Sequence, residues 1–189
     1  MTEAQYRGPL TDAQTKALIK HLKTRGELLY ADPEKAVFFD TSVFPLIGDF
    51  VTGFSRLSIK ADGTGTHLRL KEGNPSDVKR KAYTIKIEKK DCASLIYILN
   101  RLGLQYGYYR PAFRYDFRVD GVLISIKTQC VMGNHFEFSV PDDFRRHPSL
   151  LQLKKKFKLS FWSKRAYRTR ITAFMKKFPP VNVFEAKIF

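Results

Sequence analysis

Residues 110–118 read Arg-Pro-Ala-Phe-Arg-Tyr-Asp-Phe-Arg, and their alternation decides the fold class. Aromatic residues occupy one parity of this run and charged residues the other: Phe113, Tyr115 and Phe117 against Arg110, Arg114, Asp116 and Arg118. A period of two is typical of a β-strand with one face on a core. The run therefore predicts a long strand with an aromatic face and a mostly basic face.

The same period of two recurs along the chain on both sides of this run. It is found, in chain order, at residues 4–7, 56–60, 67–71, 83–87, 123–127 and 135–140. Gly121 and Gly133 lie between the last of these strands and favour tight turns there. Many short strands with close turns predict an antiparallel sheet or barrel.

Two amphipathic helices interrupt the strands. Thr11 is placed to cap the first helix, Gln14 completes a capping box, and Gly26 ends the helix. The second helix begins at Asp91 and ends at Gly103. Strands and helices together predict an α+β fold, an antiparallel β barrel or tunnel with flanking helices.

The character of the chain changes at residue 141. Residues 149–159 and 163–178 have helical periodicity and are dense in lysine and arginine. Since no Gly/Ser/Pro-rich linker precedes them, residues 141–180 are interpreted as a basic helical part of a single domain over residues 1–180. Residues 181–189 form a tail that either adds a strand or runs over the surface.

Charge is the outstanding feature of the composition. The 189 residues include 34 Lys+Arg against 18 Asp+Glu, a formal net charge of +16. Such a charge attracts nucleic acid, nucleotides, polyphosphate or anionic lipid headgroups. No apolar run is long enough for a membrane span, the N-terminal residues lack the apolar core of a signal peptide, and the two cysteines lack metal-ligand spacing. The sequence predicts a cytoplasmic protein that does not bind a membrane.

Basic residues dominate the polar parity of the strands. Like charges on neighbouring strands repel, so they are tolerated in full solvent or around a bound anion. Two interpretations follow. Either this is a solvated basic face, or the sheet curls so that arginine and lysine side chains converge and bind phosphate through charge-assisted hydrogen bonds.

Several of these strands resemble the motifs of a known family. The stretches are Glu3-Ala4-Gln5-Tyr6-Arg7, Arg56-Leu57-Ser58-Ile59-Lys60, Leu68-Arg69-Leu70-Lys71, Tyr109-Arg110 through Arg114-Tyr115, and Glu137-Phe138-Ser139. In this order the chain resembles a divergent member of the CYTH, or triphosphate tunnel metalloenzyme, superfamily. That superfamily includes class IV adenylate cyclases and several triphosphatases, and its fold is an antiparallel β tunnel with a charged interior.

The resemblance implies a set of substrate-binding residues and a substrate class. The basic positions that it assigns to the phosphate chain are Arg7, Arg56, Lys60, Arg69, Lys71, Lys86, Arg110 and Arg114. The implied ligand is a triphosphate, a nucleotide or polyphosphate. If the protein is active, the implied reaction is that of a Mg²⁺- or Mn²⁺-dependent phosphoanhydride hydrolase or cyclase.

The carboxylates depart from the family pattern. Gln5 stands where a second glutamate is expected, Lys127 stands where an aspartate is expected, and no carboxylate lies between Arg80 and Lys86. The resemblance leaves Glu3 and Glu137 as the catalytic and metal-binding pair, a weak site for Mg²⁺ or Mn²⁺. The alternative for both is a salt bridge to an arginine across the tunnel. Binding of the anion is therefore predicted more firmly than its hydrolysis.

A second function remains open from the residues alone, that of a nucleic-acid-binding module. Aromatic and basic residues are interleaved from Tyr106 to Tyr115, and aromatic rings stack on bases while arginine contacts phosphates. The alternative is that Phe113, Tyr115 and Phe117 belong to the core, since they share the apolar parity. Tyr106 and Tyr108 stay open between these interpretations.

Overall fold

The structure, a computed structural model, describes most of the chain. In that part, strands and helices follow one another in the predicted order, apart from one additional strand. The described residues are 2–39, 56–72, 79–141 and 143–185, and their side chains are described for 4–39, 57–72, 81–141 and 143–185. The strands are β1 Thr2–Pro9, β2 Glu27–Phe39, β3 Arg56–Asp62, β4 Gly65–Lys71, β5 Lys79–Ile87, β6 Tyr106–Val119, β7 Val122–Thr128, β8 His135–Val140 and β9 Val181–Asn182. The helices are α1 Asp12–Arg25, α2 Cys92–Arg101, α3 Pro148–Lys156 and α4 Lys164–Lys177, with 3₁₀ turns at Lys89–Asp91 and Phe144–Arg146.

The strands form one antiparallel sheet that closes on itself. Its order is β2-β3-β4-β5-β1-β8-β7-β6-β9, and β2 pairs in addition with β6. That closing pair is the longest in the sheet, since its register runs from Glu27 opposite Arg118 to Phe39 opposite Gly107. Closure removes the exposed edges of a large sheet. The predicted fold class, an antiparallel barrel with flanking helices, is confirmed.

The closing strand β2 has no counterpart among the predicted strands. Its residues include Asp32-Pro33, a pair that is more typical of a turn than of a strand interior. Pro33 is tolerated because it lies outside the part of β2 that pairs with β3, which covers Lys35–Phe38, and faces only Phe113 of β6. This unpredicted strand is important for the site, because it carries Glu34, the most deeply buried charged side chain among the described residues.

The first helix begins as the sequence predicts. Thr11 Oγ1 accepts a hydrogen bond from the Gln14 backbone amide at 3.1 Å, and Gln14 Oε1 accepts one from the Thr11 amide at 3.0 Å. Both halves of the capping box are therefore present. Gly26 follows the last residue of the helix and donates its amide to the Leu22 carbonyl.

The hydrophobic cores lie outside the barrel wall. One lies between the outward faces of β1, β6, β7 and β8 and the helices α1 and α3, with Phe117, Phe136, Phe138, Leu18 and Leu150 fully buried. A second lies under α2, where Leu99 packs with Val37 and Ile59. Because the apolar parity of each strand turns outward to these helices, the polar parity turns inward. This arrangement puts the charged faces of the strands inside the barrel.

The C-terminal helices complete the wall from outside. Trp162, between α3 and α4, donates its backbone amide to the Arg7 carbonyl of β1 at 2.8 Å. Tyr167 and Phe174 of α4 form a third core with Ala112 and Met132. The extent of the domain, residues 1–180 with a tail at 181–189, stays a prediction, although Val181–Asn182 pairs with the start of β6. Within the described residues no helix has both the length and the hydropathy of a membrane span.

Gly8 offers a test of this contact between β1 and the segment after α3. A Cβ at Gly8 would lie 1.9 Å from the Ser160 carbonyl oxygen and 2.7 Å from the Phe136 ring. Since backbone and a packed aromatic ring must both move, Gly8→Ala is expected to lower the free energy of unfolding by roughly 1–3 kcal/mol in urea titrations. An unchanged unfolding midpoint would show that the segment after α3 does not press on β1.

Candidate polyanion-binding tunnel

Seven cationic side chains line one cavity inside the barrel. They come from β1, β3, β4, β6 and β7 and are Arg7, Lys60, Arg69, Lys71, Arg110, Arg114 and Lys127. The cavity has a volume of about 70 Å³, which is enough for several water molecules. Because neighbouring strands contribute to it at matching positions of their ladders, the convergence is a direct result of closure and of the polar parity.

Glu34 of β2 is fully buried and lies against three of the cations that line the cavity. Its Oε2 lies 2.7 Å from Lys60 Nζ and 3.0 Å from Arg114 Nη1, and its Oε1 lies 2.9 Å from Lys127 Nζ. The Arg110 guanidinium is further away, at 3.9 Å. Both oxygens of one carboxylate are therefore shared among cations of three strands.

Electrostatics keep Glu34 ionised. Burial alone raises the pKa of a carboxyl group, but the charges of Lys127, Lys60 and Arg114 exceed that effect and hold the pKa of Glu34 far below its ordinary value. Burial also acts on Lys60, where it lowers the pKa to about 8 despite the attraction of Glu34. Lys60 therefore loses its proton more easily than an ordinary lysine.

Arg114 links three acids. Its Nη1 donates to Glu34 and lies 3.3 Å from Asp62 Oδ2, while its Nε donates to Asp116 Oδ1 at 2.8 Å. The Nη2 atom also contacts Asp116, which completes a two-point guanidinium–carboxylate pair. Burial would lower the pKa of Arg114, but Asp116 and Glu34 raise it above its usual range. Arg114 therefore stays charged and connects β6 to β2 and β3 through ion pairs.

Glu137 forms a separate ion pair with Arg7. It stands opposite Arg7 in the β1–β8 ladder and accepts a hydrogen bond from Arg7 Nε at 2.6 Å. Burial favours its neutral form, yet Arg7, Lys127 and Lys71 hold the pKa of Glu137 well below its ordinary value. Gln5 Oε1, which replaces a carboxylate in the predicted motif, accepts from Lys71 Nζ at 2.9 Å and also from Arg7.

Arg110 is a buried cation whose one carboxylate neighbour among the described residues, Glu34, is 3.9 Å away. It is 9% exposed, and its Nε is buried with no hydrogen-bond partner among the described residues. Its Nη1 lies 3.6 Å from the Met132 sulfur, and its guanidinium stacks over the Phe38 ring at 4.6 Å. Soft and apolar contacts thus hold this guanidinium in place and leave part of its hydrogen-bonding capacity for a ligand.

His135 of β8 adds a neutral group to the wall. Its Nδ1 donates to the Gly133 carbonyl at 2.9 Å, which fixes the tautomer. Burial and the nearby charge of Lys127 lower the pKa of His135 to about 3. The imidazole therefore adds no positive charge to the tunnel at neutral pH.

Most of the predicted phosphate-binding residues come together here. Arg7, Lys60, Arg69, Lys71, Arg110 and Arg114 all line the cavity. Lys86 does not join them, because it lies exposed in a separate groove between the β3–β4 turn and α2. The side chains of Arg56 and Glu3 lie outside the described residues, so the predicted pairing of Glu3 with Glu137 stays a prediction.

Seven residues that line the cavity are not among the predicted site residues: Phe38, Ser58, Ser125, Lys127, Met132, His135 and Tyr167. Glu34, which lies against three of the lining cations, was not predicted either. Asp32, Glu34 and Ala36 do share a parity opposite to that of Val37 and Phe39. That alternation could have revealed β2 and its inward acid.

The donor set does not fit a divalent metal ion. Within the described part of the chain, no three His, Cys, Asp or Glu side chains are placed to hold one. Each tunnel carboxylate is already engaged by cations, as the contacts of Glu34, Asp116 and Glu137 show. Hard cations require several available oxygen ligands. The Mg²⁺ or Mn²⁺ site at Glu3 and Glu137 is therefore not supported by the described half of that pair.

Comparison with known proteins bears on the fold. No family model and no curated protein sequence matches the chain. Among solved structures, a Vibrio parahaemolyticus protein provisionally assigned as an adenylate cyclase superposes with a TM-score of 0.66 at 19% identity, covering 91% of this chain and 98% of that one. The fold is CYTH-like. This agrees with the resemblance seen in the strand motifs.

Other solved structures show how broadly the CYTH-like fold is used. A Hippeastrum protein named as an adenylyl cyclase, with a dominant triphosphatase activity, has a TM-score of 0.56 at 18% identity over 85% of this chain and 89% of that one. A chain of the Schizosaccharomyces pombe Mediator head module has a TM-score of 0.53 at 10% identity over 85% and 98%. Since the same fold occurs in such different settings, function must be argued from the tunnel side chains.

The aromatic residues considered for base stacking are spread over several surfaces. Phe113 and Tyr115 pack against each other at 5.0 Å between ring centroids, and Phe117 is fully buried in the core. Tyr108 packs against Phe174 of α4, whereas Tyr106 is exposed. The described rings therefore do not form one continuous stacking platform beside the basic residues.

Glu34 provides the sharpest test of this network. Glu34→Gln keeps the shape but leaves Lys60, Lys127 and Arg114 buried without their shared counter-charge. The free energy of unfolding is expected to fall by about 3–5 kcal/mol in urea titrations. Glu27→Gln is the matched control in the same strand, because its pair with Arg118 is exposed and is expected to contribute only about 0–1 kcal/mol. Equal losses in both variants would show that Glu34 does not stabilise the barrel.

The lowered pKa of His135 predicts a pH dependence of stability. The folded pKa, about 3, lies below the ordinary value of 6.5, so between those pH values the unfolded chain takes up a proton that the folded chain refuses. Stability is therefore complete above pH 6.5 and is lost as the pH falls, by up to about 1.4 kcal/mol per pH unit from this group. His135→Asn is expected to lose roughly 2 kcal/mol less than the native chain between pH 7 and pH 5. Parallel profiles would contradict the prediction.

Proposed function

We propose that the tunnel binds a short polyphosphate chain, such as a triphosphate, either free or as part of a nucleotide. The observation that carries the proposal is the convergence of seven cationic side chains on one cavity. The described acids in contact with them are Glu34, Glu137, Asp62 and Asp116. Buried cations in such close proximity favour the entry of an anion.

The types of cation match phosphate groups. Arginine presents a planar fork that binds two phosphate oxygens at once, and lysine adds a point charge without a preferred direction. Arg110 Nε is buried without a hydrogen-bond partner among the described residues, and the ion pairs of Arg114 fix its guanidinium in place. Preorganised donors of this kind bind an anion without first losing side-chain entropy.

The comparisons support the same ligand class without identifying it. The Hippeastrum protein with the CYTH-like fold has a triphosphatase activity. For this chain the proposal stops at binding, because the described carboxylates are engaged by arginine and lysine and are not placed to activate water or hold a metal. The organic part of the ligand is left open.

Calorimetric titration with tripolyphosphate tests the proposal. Native protein is expected to bind it in the micromolar range. Arg110→Gln is expected to weaken binding by about 10- to 100-fold, since a hydrogen bond to a charged group contributes roughly 1.5–3 kcal/mol. The fold should survive, because Glu34 keeps its three nearer partners. Thermal melting of the variant checks this.

Arg118→Gln is the matched control on the same strand. Arg118 is exposed and paired with Glu27, and it does not line the cavity, so its loss should leave affinity within about twofold. Equal weakening by both substitutions would indicate attraction to net charge alone. Indifference to tripolyphosphate, together with steeply salt-dependent binding of a single-stranded oligonucleotide, would favour the nucleic-acid-binding module instead.

A further inference from the structure

The carboxylates of the tunnel have little capacity left for a metal ion. Glu34 Oε1 accepts from Lys127, and its Oε2 contacts both Lys60 and Arg114. Asp116 receives the paired guanidinium nitrogens of Arg114. A divalent ion would have to displace an ammonium or a guanidinium to reach any of these oxygens.

Glu137 and Asp62 show the same engagement. Arg7 Nε lies 2.6 Å from Glu137, and Arg114 Nη1 lies 3.3 Å from Asp62. Among the described residues, seven cationic side chains and the carboxylate of Glu137 line the cavity, and nearby cations repel a divalent cation. A divalent cation is thus disfavoured because the described carboxylate oxygens are already engaged and because the lining is mostly cationic.

The wall instead supplies positive charge of its own. Lys127 stands between Arg114 on β6 and His135 on β8, and its ammonium has Glu34 as its hydrogen-bond partner among the described residues. Arg110 lines the same cavity, and its buried Nε has no partner within the described part of the chain. An ammonium carries three donors, so Lys127 can contact Glu34 and a phosphate oxygen together.

From these contacts we infer that the tunnel takes the polyphosphate chain as its metal-free anion, with buried lysine and arginine as the counter-ions. The inference rests on the proposed function, since it concerns the form of the ligand bound by the same tunnel. Its consequence is that Mg²⁺ competes with the protein. A phosphate chain already wrapped by Mg²⁺ carries less negative charge and brings a cation into a positive cavity, so the complex is rejected.

The experiment is a calorimetric titration of native protein with tripolyphosphate in EDTA and again in excess Mg²⁺, with ionic strength matched by a monovalent salt. Binding is expected to be tightest in EDTA. It should weaken by about 100-fold when Mg²⁺ is present at a hundred times its own dissociation constant for tripolyphosphate, because only free anion enters. The monovalent salt removes screening as an explanation.

The outcomes separate this inference from the proposed function. Binding that is tighter in Mg²⁺, or equal in both conditions, overturns the inference and leaves the proposed function standing. No binding in either condition overturns the proposed function itself. The expected pattern, strong in EDTA and weak in Mg²⁺, supports both.

A second measurement follows the metal rather than the heat. Protein is added to a Mn²⁺–tripolyphosphate mixture, and the electron paramagnetic resonance signal of free aqueous Mn²⁺ is recorded. That signal is expected to rise as the protein removes the phosphate chain from the metal. A fall of the signal below its starting level would show a ternary complex and overturn the inference.

Glu3 is the remaining acid that could alter this result, since its side chain lies outside the described residues. Glu3→Gln is therefore included in both measurements. The variant is expected to show the same weakening by Mg²⁺ as the native protein. If the native protein instead binds more tightly in Mg²⁺ and Glu3→Gln abolishes that gain, the chain holds a metal through Glu3 and the inference is wrong.

Discussion

The structure depends on one buried carboxylate. Glu34 is completely shielded from solvent, and cations from β3, β6 and β7 meet on its two oxygens. Without it, closing the barrel would bury Lys60 and Lys127 without the carboxylate that they share. Glu34 belongs to β2, which is also the strand that closes the barrel. The same strand therefore completes the sheet and supplies this carboxylate.

The interior of the barrel is charged rather than apolar. A barrel filled with apolar side chains would be easier to stabilise, since buried ion pairs seldom exceed apolar packing in stability. Here the apolar residues lie outside, beneath α1, α2 and α3, and support the wall from that side. Because the hydrophobic cores lie outside the wall, the interior of the barrel can hold charged side chains.

Local patterns explain which parts were predictable. The alternation at residues 110–118 identifies β6 and its inward arginines, and the capping box identifies α1, because both signals depend on neighbouring residues. The role of Glu34 depends on partners 80 and 93 residues away, which no local pattern contains. Lys86 shows the converse limit, since the parity of β5 is correct but its position along the strand puts it in a separate groove. Parity predicts a face, whereas closure decides which part of that face lines the cavity.

The same distinction decides how far the fold argues for function. CYTH-like structures occur both in proteins named as adenylate cyclases or as having triphosphatase activity and in a chain of the Mediator head module, so the tunnel alone implies no activity. What differs is the chemistry of the inward side chains. In this chain Lys127 and Gln5 stand where carboxylates are expected, and each contributes to holding cations or acids of the wall rather than freeing oxygens for a metal. Replacing an acid by lysine changes the charge at that point by two units, which removes an oxygen ligand from the wall and adds a positive charge to it.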